Sequence, residues 1–347
     1  MNRQAHNPAA DAATMAEVTL IGGSLAGRVG APAMPQISWS LPGDWPRQAT
    51  EAPEQATEAV PGPWRVVNPV PAEDLFLDWN RYRDVALIGV GGMGRVYSAT
   101  SAESGRTVAV KLLVEGRRSG DELWEARLQG RVDHPSVLPV LDCGKLGGFP
   151  WFAMPHVEGR SLKASRHDLD LAAKVQLMAR VAHAVDAIHS HGIVHCDLNP
   201  RNVLIGERDG ELHPWVIDFG IAQEMAAPSP ADTSRVVGTP AYMAPEQALG
   251  RYHQFDARTD IYALGATLYE LVGGRRPFNA ETSEAVLTKA IRETPKPLHD
   301  LDPSVPAQLE RIVLKCLEKD ADDRYPTAAA LARDLEDFLS RPERLAA

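Results

Sequence analysis

The chain has 347 residues, with 36 Lys and Arg against 46 Asp and Glu, a formal net charge of −10 and a pI near 5.6. The length suits two lobes or domains with a further segment, and the acidic balance argues against partnership with nucleic acid or an anionic membrane surface. The three cysteines, Cys143, Cys196 and Cys316, are odd in number and widely spaced, which argues against a disulfide framework or a cysteine metal site and for reduced thiols in a cytoplasmic setting; no apolar run approaches the length of a membrane span.

Residues 1–77 are rich in Ala, Pro, Gly, Glu and Gln and contain no lysine. Prolines from Pro32 to Pro71 interrupt any helix or central strand. Such a segment buries too little apolar surface to offset its ordering entropy, so a mostly disordered tail is expected. Trp39, Trp45 and Trp64 are unusual in a solvating tail. They fit either local packing on the folded part or a docking motif for a partner.

From Tyr82 to about Met154 the pattern is short strands with one helix. The first signal is Ile88-Gly89-Val90-Gly91-Gly92-Met93-Gly94-Arg95-Val96, a G-x-G-x-x-G run. Glycines let backbone N–H groups approach a phosphate. A dinucleotide fold would start a helix there, whereas Val96-Tyr97-Ser98-Ala99 reads as a second strand. Val108-Ala109-Val110-Lys111 is a buried strand ending in a Lys that is costly to bury unpaired. Asp121 to Arg131 reads as a helix that can offer the carboxylate, from Glu125 or, almost one turn earlier, from Glu122.

Helical patterns follow. Leu177, Val181, Ala184, Val185 and Ile188 form one apolar stripe, and Ile261, Leu264, Leu268 and Leu271 form another. Further helices are expected over Leu309–Leu317 and Ala328–Leu339. Between them lies His195-Cys196-Asp197-Leu198-Asn199-Pro200-Arg201-Asn202. Asp and Asn five positions apart in a loop are often no more than capping residues. Here Asp218-Phe219-Gly220 follows an apolar strand, then Gly238-Thr239-Pro240-Ala241-Tyr242-Met243-Ala244-Pro245-Glu246, then Asp260, and Arg324 far downstream.

Taken in this order, the glycine loop, VAVK, HCDLNPRN, DFG and APE resemble the eukaryotic-like (Hanks-type) protein kinases, and the finer texture resembles the bacterial Ser/Thr kinases among them. The resemblance runs from about Tyr82 to about Leu339. It implies an α+β, bilobal fold: a tail over 1–77, a β-rich small lobe over 78–154, a connector over 155–158, a helical large lobe over 159–340 and a short tail over 341–347. It implies ATP and Mg2+ as cofactors and proteins bearing Ser or Thr as substrates, with autophosphorylation.

By the same resemblance, Ile88, Val96, Ala109 and Leu204 would sandwich the adenine. Met154 would stand at its back, and the backbone of His156 and Val157 would meet its edge. Gly89, Val90, Gly91, Gly92, Met93 and Gly94 would cover the phosphates. Lys111, held by Glu125, would grip the α- and β-phosphates. Asn202 and Asp218 would hold the metal, and Asp197 would orient the substrate hydroxyl and take its proton. His195 would be structural, Asp260 would hold the catalytic-loop backbone, and Glu246 would pair with Arg324.

Two positions depart from the family pattern. Cys196 stands where most members carry an Arg that binds an activation-loop phosphate, which puts control through that loop in question or passes it to other cations such as Arg235. Asn199 stands where most carry a Lys for the γ-phosphate, and Arg201, four after Asp197, is placed to compensate. Two other readings of the chain therefore stand beside an active protein kinase: a pseudokinase serving as an ATP-binding scaffold, and a small-molecule kinase of the aminoglycoside or choline type.

Overall fold

The computed structural model describes residues 79–91, 94–113, 122–225 and 238–341. The expected tail over 1–77 with its tryptophans lies outside the described residues. So do Gly92 and Met93, Asp121, Arg235, and most of the short C-terminal tail.

Five antiparallel strands open the fold. They are β1 (Tyr82–Gly91), β2 (Gly94–Ser101), β3 (Thr107–Leu113), β4 (Asp142–Leu146) and β5 (Phe149–Pro155), in the sheet order β1-β2-β3-β5-β4. Apolar residues populate both faces of β3, since Val108 through Leu113 are all buried. One face packs Ala109, Leu113, Phe152 and Met154 into a cluster with Ala126, Leu138 and Val140. On the other face Trp151 meets Trp79 and Tyr82 edge-on, with ring centroids 4.9 and 5.6 Å away. Gly94 is required at the start of β2, because a Cβ there would lie 2.2 Å from the Leu112 carbonyl oxygen.

The helix α1 (Trp124–Gln129) packs Ala126 into that cluster. It is shorter than the predicted 121–131. Glu122 and Leu123 form a turn, Leu123 offers no side-chain cap, and Gly130 ends the helix.

The remainder is mostly helical. A short hairpin-like sheet of β6 (Gly159–Ser161), β8 (Val203–Arg208) and β9 (Glu211–Val216) carries the catalytic segment. The helix α2 (Leu162–Ser165) leads to α3 (Leu171–Ser190), and β7 (Ile193–Val194) pairs with β10 (Gln223–Glu224). Then come α4 (Pro245–Ala248), α5 (Ala257–Gly273), α6 (Ser283–Arg292), α7 (Ala307–Cys316) and α8 (Ala328–Leu339). Every residue of the two predicted apolar stripes is buried. Thr259 through Leu271 are buried without interruption, so α5 is a central core helix rather than an amphipathic one. Gly265 makes this possible: a Cβ there would meet the Cys316 Cβ at 2.3 Å, so α5 and α7 touch backbone to side chain. Among the described residues, no helix is long and apolar enough to cross a membrane.

Candidate active site

The site forms where β3, α1, and the loops after β7 and β9 converge. Lys111 projects from β3 and is 7% exposed. Its Nζ lies 2.5 Å from Glu125 Oε1 and 2.8 Å from Asp218 Oδ1. One ammonium thus serves two carboxylates. Burial opposes the charge on Lys111, but Asp218 and Glu125 outweigh it and raise its pKa. Burial also opposes ionisation of Asp218, and Lys111 outweighs it, so that carboxyl lies below its usual range. Glu125 fares worse in the competition. Burial, with Asp218 nearby, pushes its pKa up to about 7 despite Lys111. Glu122, the alternative partner, pairs instead with Lys145 on the surface.

Further contacts fix α1 against the segment after Asp218. Trp124 Nε1 donates to the Ala222 carbonyl at 3.1 Å. Arg131 pairs with Glu224 and donates through Nη2 to the His191 carbonyl at 2.8 Å. Asp218 has φ of 69° and Cys196 φ of 65°, left-handed values that non-glycine residues adopt only when their surroundings impose them.

The carboxylate of Asp197 is held from two sides. Thr239 donates to its Oδ1 through N at 2.9 Å and Oγ1 at 2.8 Å. Asn202 Nδ2 donates to its Oδ2 at 3.0 Å and to its carbonyl at 2.9 Å. Burial raises the pKa of Asp197, partly opposed by the Thr239 hydrogen bond. A base poised above the usual carboxylate range is better matched to taking a proton near neutral pH. His195 serves the loop itself: its Nε2 lies 3.1 Å from the Ile217 carbonyl and its ring lies beside Phe219.

Asn199 is 3% exposed. Its Nδ2 donates to the Asp197 carbonyl at 3.0 Å and to Thr239 Oγ1 at 3.4 Å, and its Oδ1 accepts from Arg201 N at 3.0 Å. The Asn199 amide is thus engaged with the loop on both ends. Arg201 reaches this network through its backbone. Two contributors were not singled out from sequence. Thr239 anchors Asp197, and Gln247, 4% exposed, donates to the Cys196 carbonyl at 2.8 Å. Both lie inside the GTPAYMAPEQ stretch, and that position was their only signal.

Beneath the loop, Asp260 accepts from His195 N at 2.8 Å and Cys196 N at 2.9 Å, and His189 Nε2 lies 2.8 Å away. Arg324 meets Glu246 through two 2.9 Å contacts. Cys196 itself is buried with Val194, Ile221 and Phe255.

Several of the nucleotide candidates lie on the inner face of the five-stranded sheet. Ala109 pairs with Met154 across β3 and β5, and Val96 and Val157 pack against the same cluster. Ile88 is half-buried on β1, Gly89 pairs with Val96, and Gly91 with Gly94. Val90 is exposed. Leu204 lies on β8, half-buried and paired with Ser161 and Trp215, and His156 is half-buried in the connector. For a hard cation, Asp218 keeps 38% of its side chain exposed, and Asn202 turns its nitrogen to Asp197, so the oxygen is the end of its amide that could meet a cation. One carboxylate and one amide oxygen, completed by phosphates and water, suit magnesium.

Comparison with known proteins agrees with this geometry. The model of the protein kinase domain matches residues 82–335. A probable serine/threonine-protein kinase of Clostridium perfringens is 36% identical over 271 residues, 76% of this chain and 39% of the relative. The DNA damage-responsive serine/threonine-protein kinase RqkA of Deinococcus radiodurans is 40% identical over 262 residues, 73% of this chain and 38% of the relative. The chain therefore spans about two fifths of the length of the curated relatives it matches. Among solved structures, a mutant kinase domain of PknI from Mycobacterium tuberculosis superposes with a TM-score of 0.58 at 25% identity, covering 74% of this chain and 96% of that one. With the ion triad, the loop and the sheet in the same order as the motifs, the chain belongs to the protein kinase domain family.

Proposed function

We propose that this chain transfers the γ-phosphate of ATP to Ser and Thr hydroxyls of proteins, itself included. The observation that carries the reading is the assembled triad of Lys111, Glu125 and Asp218 beside an oriented Asp197. The printed names of the relatives as serine/threonine-protein kinases support the acceptor class.

In this reading the connector 155–158 joins the small lobe, 78–154, to the large lobe, 159–340. The adenine lies against Val96, Ala109, Met154, Leu204 and Ile88, with the glycine loop over the phosphates. Lys111 holds the α- and β-phosphates. Asp197 takes the proton of the acceptor hydroxyl as its oxygen bonds to the γ-phosphorus and the bond to ADP breaks. Asn202 and Asp218 would hold Mg2+, which when bound neutralises phosphate oxygens. Phosphoryl transfer asks for positioning more than covalent chemistry, and the two-sided grip on Asp197 is of that kind.

The test is incubation of purified protein with labelled ATP and magnesium, followed by phosphosite mapping. Lys111→Met and Asp197→Asn should each abolish labelling of protein Ser and Thr. Labelling undiminished in either variant would remove the assignment. Turnover of a small amino alcohol in place of protein would favour the small-molecule reading.

A further inference from the structure

Beside the catalytic loop lies a concentration of positive charge on a chain whose net charge is −10. Lys163, on α2, is tied to that loop by its backbone N–H, which donates to the Pro200 carbonyl at 2.8 Å. Arg166 Nη1 donates to the Lys163 carbonyl at 2.6 Å. Arg201 belongs to the loop itself, four residues after Asp197, and bonds Asn199 through its N–H. Arg276, just past the C-terminus of α5, lies over the Tyr242 ring at 5.9 Å. Among the charges that bear most on Lys163 are three cations, Arg201, Arg276 and Arg166, and one carboxylate, Glu270. Glu270 is 6% exposed and accepts from the Tyr242 hydroxyl, so it faces inward. Lys163, Arg166, Arg201 and Arg276 are each partly exposed. Burial and the neighbouring arginines together lower the pKa of Lys163.

Like charges held this close repel one another, and the arrangement is relieved when an anion joins them. Arg201 is four residues from Asp197, so the cluster begins within about 14 Å of the catalytic carboxylate along the chain. Tyr242, under Arg276, lies three residues from Thr239, which touches Asp197. A peptide whose acceptor hydroxyl reaches Asp197 can therefore bring the residues flanking the acceptor to these cations.

We propose that Lys163, Arg166, Arg201 and Arg276 form a recognition surface for acidic peptide segments, selecting acceptors flanked by Asp or Glu over those flanked by Lys or Arg. The proposal rests on the protein-kinase reading above, and it names the chemistry of the segment that reading leaves open. Guanidinium groups pair carboxylates in a two-pronged fashion, which suits Arg276 and Arg201 to the task, while Arg166, its Nη1 taken by the Lys163 carbonyl, adds charge.

The experiment measures binding apart from turnover. Fluorescent peptides with Ala at the acceptor position, flanked by Asp and Glu, by Lys and Arg, or by neutral residues, are titrated into the full chain and read by anisotropy. The acidic peptide should bind about tenfold or more tightly than the basic one, and the gap should shrink at high salt. Lys163→Gln with Arg276→Gln should remove most of the gap and leave ATP affinity unchanged. Equal binding, tighter basic binding, or a gap unaffected by the two substitutions would overturn the proposal. A single-stranded oligonucleotide of the same charge, bound as tightly as the acidic peptide, would overturn the peptide assignment. Matching peptides with Thr at the acceptor are then assayed for phosphate transfer. Absent transfer with a preserved acidic preference would count against the kinase reading alone, and transfer with no preference against this surface alone.

Discussion

The amide nitrogen of Asn199 lies 3.4 Å from the hydroxyl of Thr239, and both groups also bond Asp197, one at its carbonyl and the other at its carboxylate. A position that a cation usually fills in this family is here a neutral brace between the catalytic loop and the segment that begins at Gly238. Thr239 and Asn199 act as positioning residues. Each alone changed to Ala should lower kcat by about 10- to 100-fold with little change in KM for ATP, since a misplaced base costs rate rather than nucleotide affinity. Thr239→Ser should restore most of the rate. The double Ala variant should be little worse than either single one, because both act through Asp197. Fully additive losses in the cycle would show independent roles.

Glu125 makes a prediction about pH. Its carboxyl is raised from the usual 4.5 to about 7, so between those values the folded protein keeps a proton that the unfolded chain has released. The stability contributed by this protonation is full below about 4.5 and is lost as pH rises through about 7. Gln at this position cannot titrate. In nucleotide-free protein, urea midpoints should show the wild type losing stability relative to Glu125→Gln as pH rises across that window, by on the order of a few kcal/mol. Parallel curves would mean that Lys111 keeps Glu125 ionised throughout.

The buried pair of Glu246 and Arg324 should behave asymmetrically. The Arg324 side chain is 0% exposed, and it also donates to the carbonyls of Glu318, Lys319 and Arg258. Arg324→Met strands a buried carboxylate and should cost about 3–5 kcal/mol in denaturant unfolding. Adding Glu246→Gln should recover part of that loss, whereas an unchanged double variant would place the cost in the lost carbonyl contacts.

Cys196 bears on control. It sits among Val194, Ile221 and Phe255, and its thiol brings no positive charge for a phosphate. Residues 222–224 are held by Trp124 on Ala222, Arg131 on Glu224 and the pairing of β10 with β7, contacts that involve no phosphate. Thr233 and Ser234 lie outside the described residues. Changing both to Ala should leave most activity on an added protein substrate, measured by phosphate incorporation. A collapse of that activity would reveal another reader of the phosphate, with Arg235 the first to change.

Much of this was legible in the sequence because the motifs are local. A glycine run, a Lys ending a buried strand and an Asp-Phe-Gly turn each state their geometry within a few residues. The apolar stripes of α3 and α5 likewise follow from helical period alone. What escaped was tertiary. Nothing near Asn199 in the chain says that Thr239 will take its amide, and nothing near Gln247 says that it will hold the Cys196 carbonyl. The extent of α1 was overread for a related reason: the apolar pattern runs on through Leu123, but Leu123 stands at the N-cap and has no side-chain group to cap a helix.

Asp260 has a consequence for how the molecule comes into being. The loop amides of His195 and Cys196 find their acceptor 65 and 64 residues further along the chain. At bacterial speeds of about 5–20 residues per second, the ribosome needs roughly 3–13 s to deliver that carboxylate after the loop has been made. Until α5 has emerged, the loop has no floor. The floor of the catalytic loop is thus a late product of translation, and a nascent chain halted between residues 247 and 260 would carry that loop with Thr239 and Gln247 in place but without the carboxylate that takes its amides.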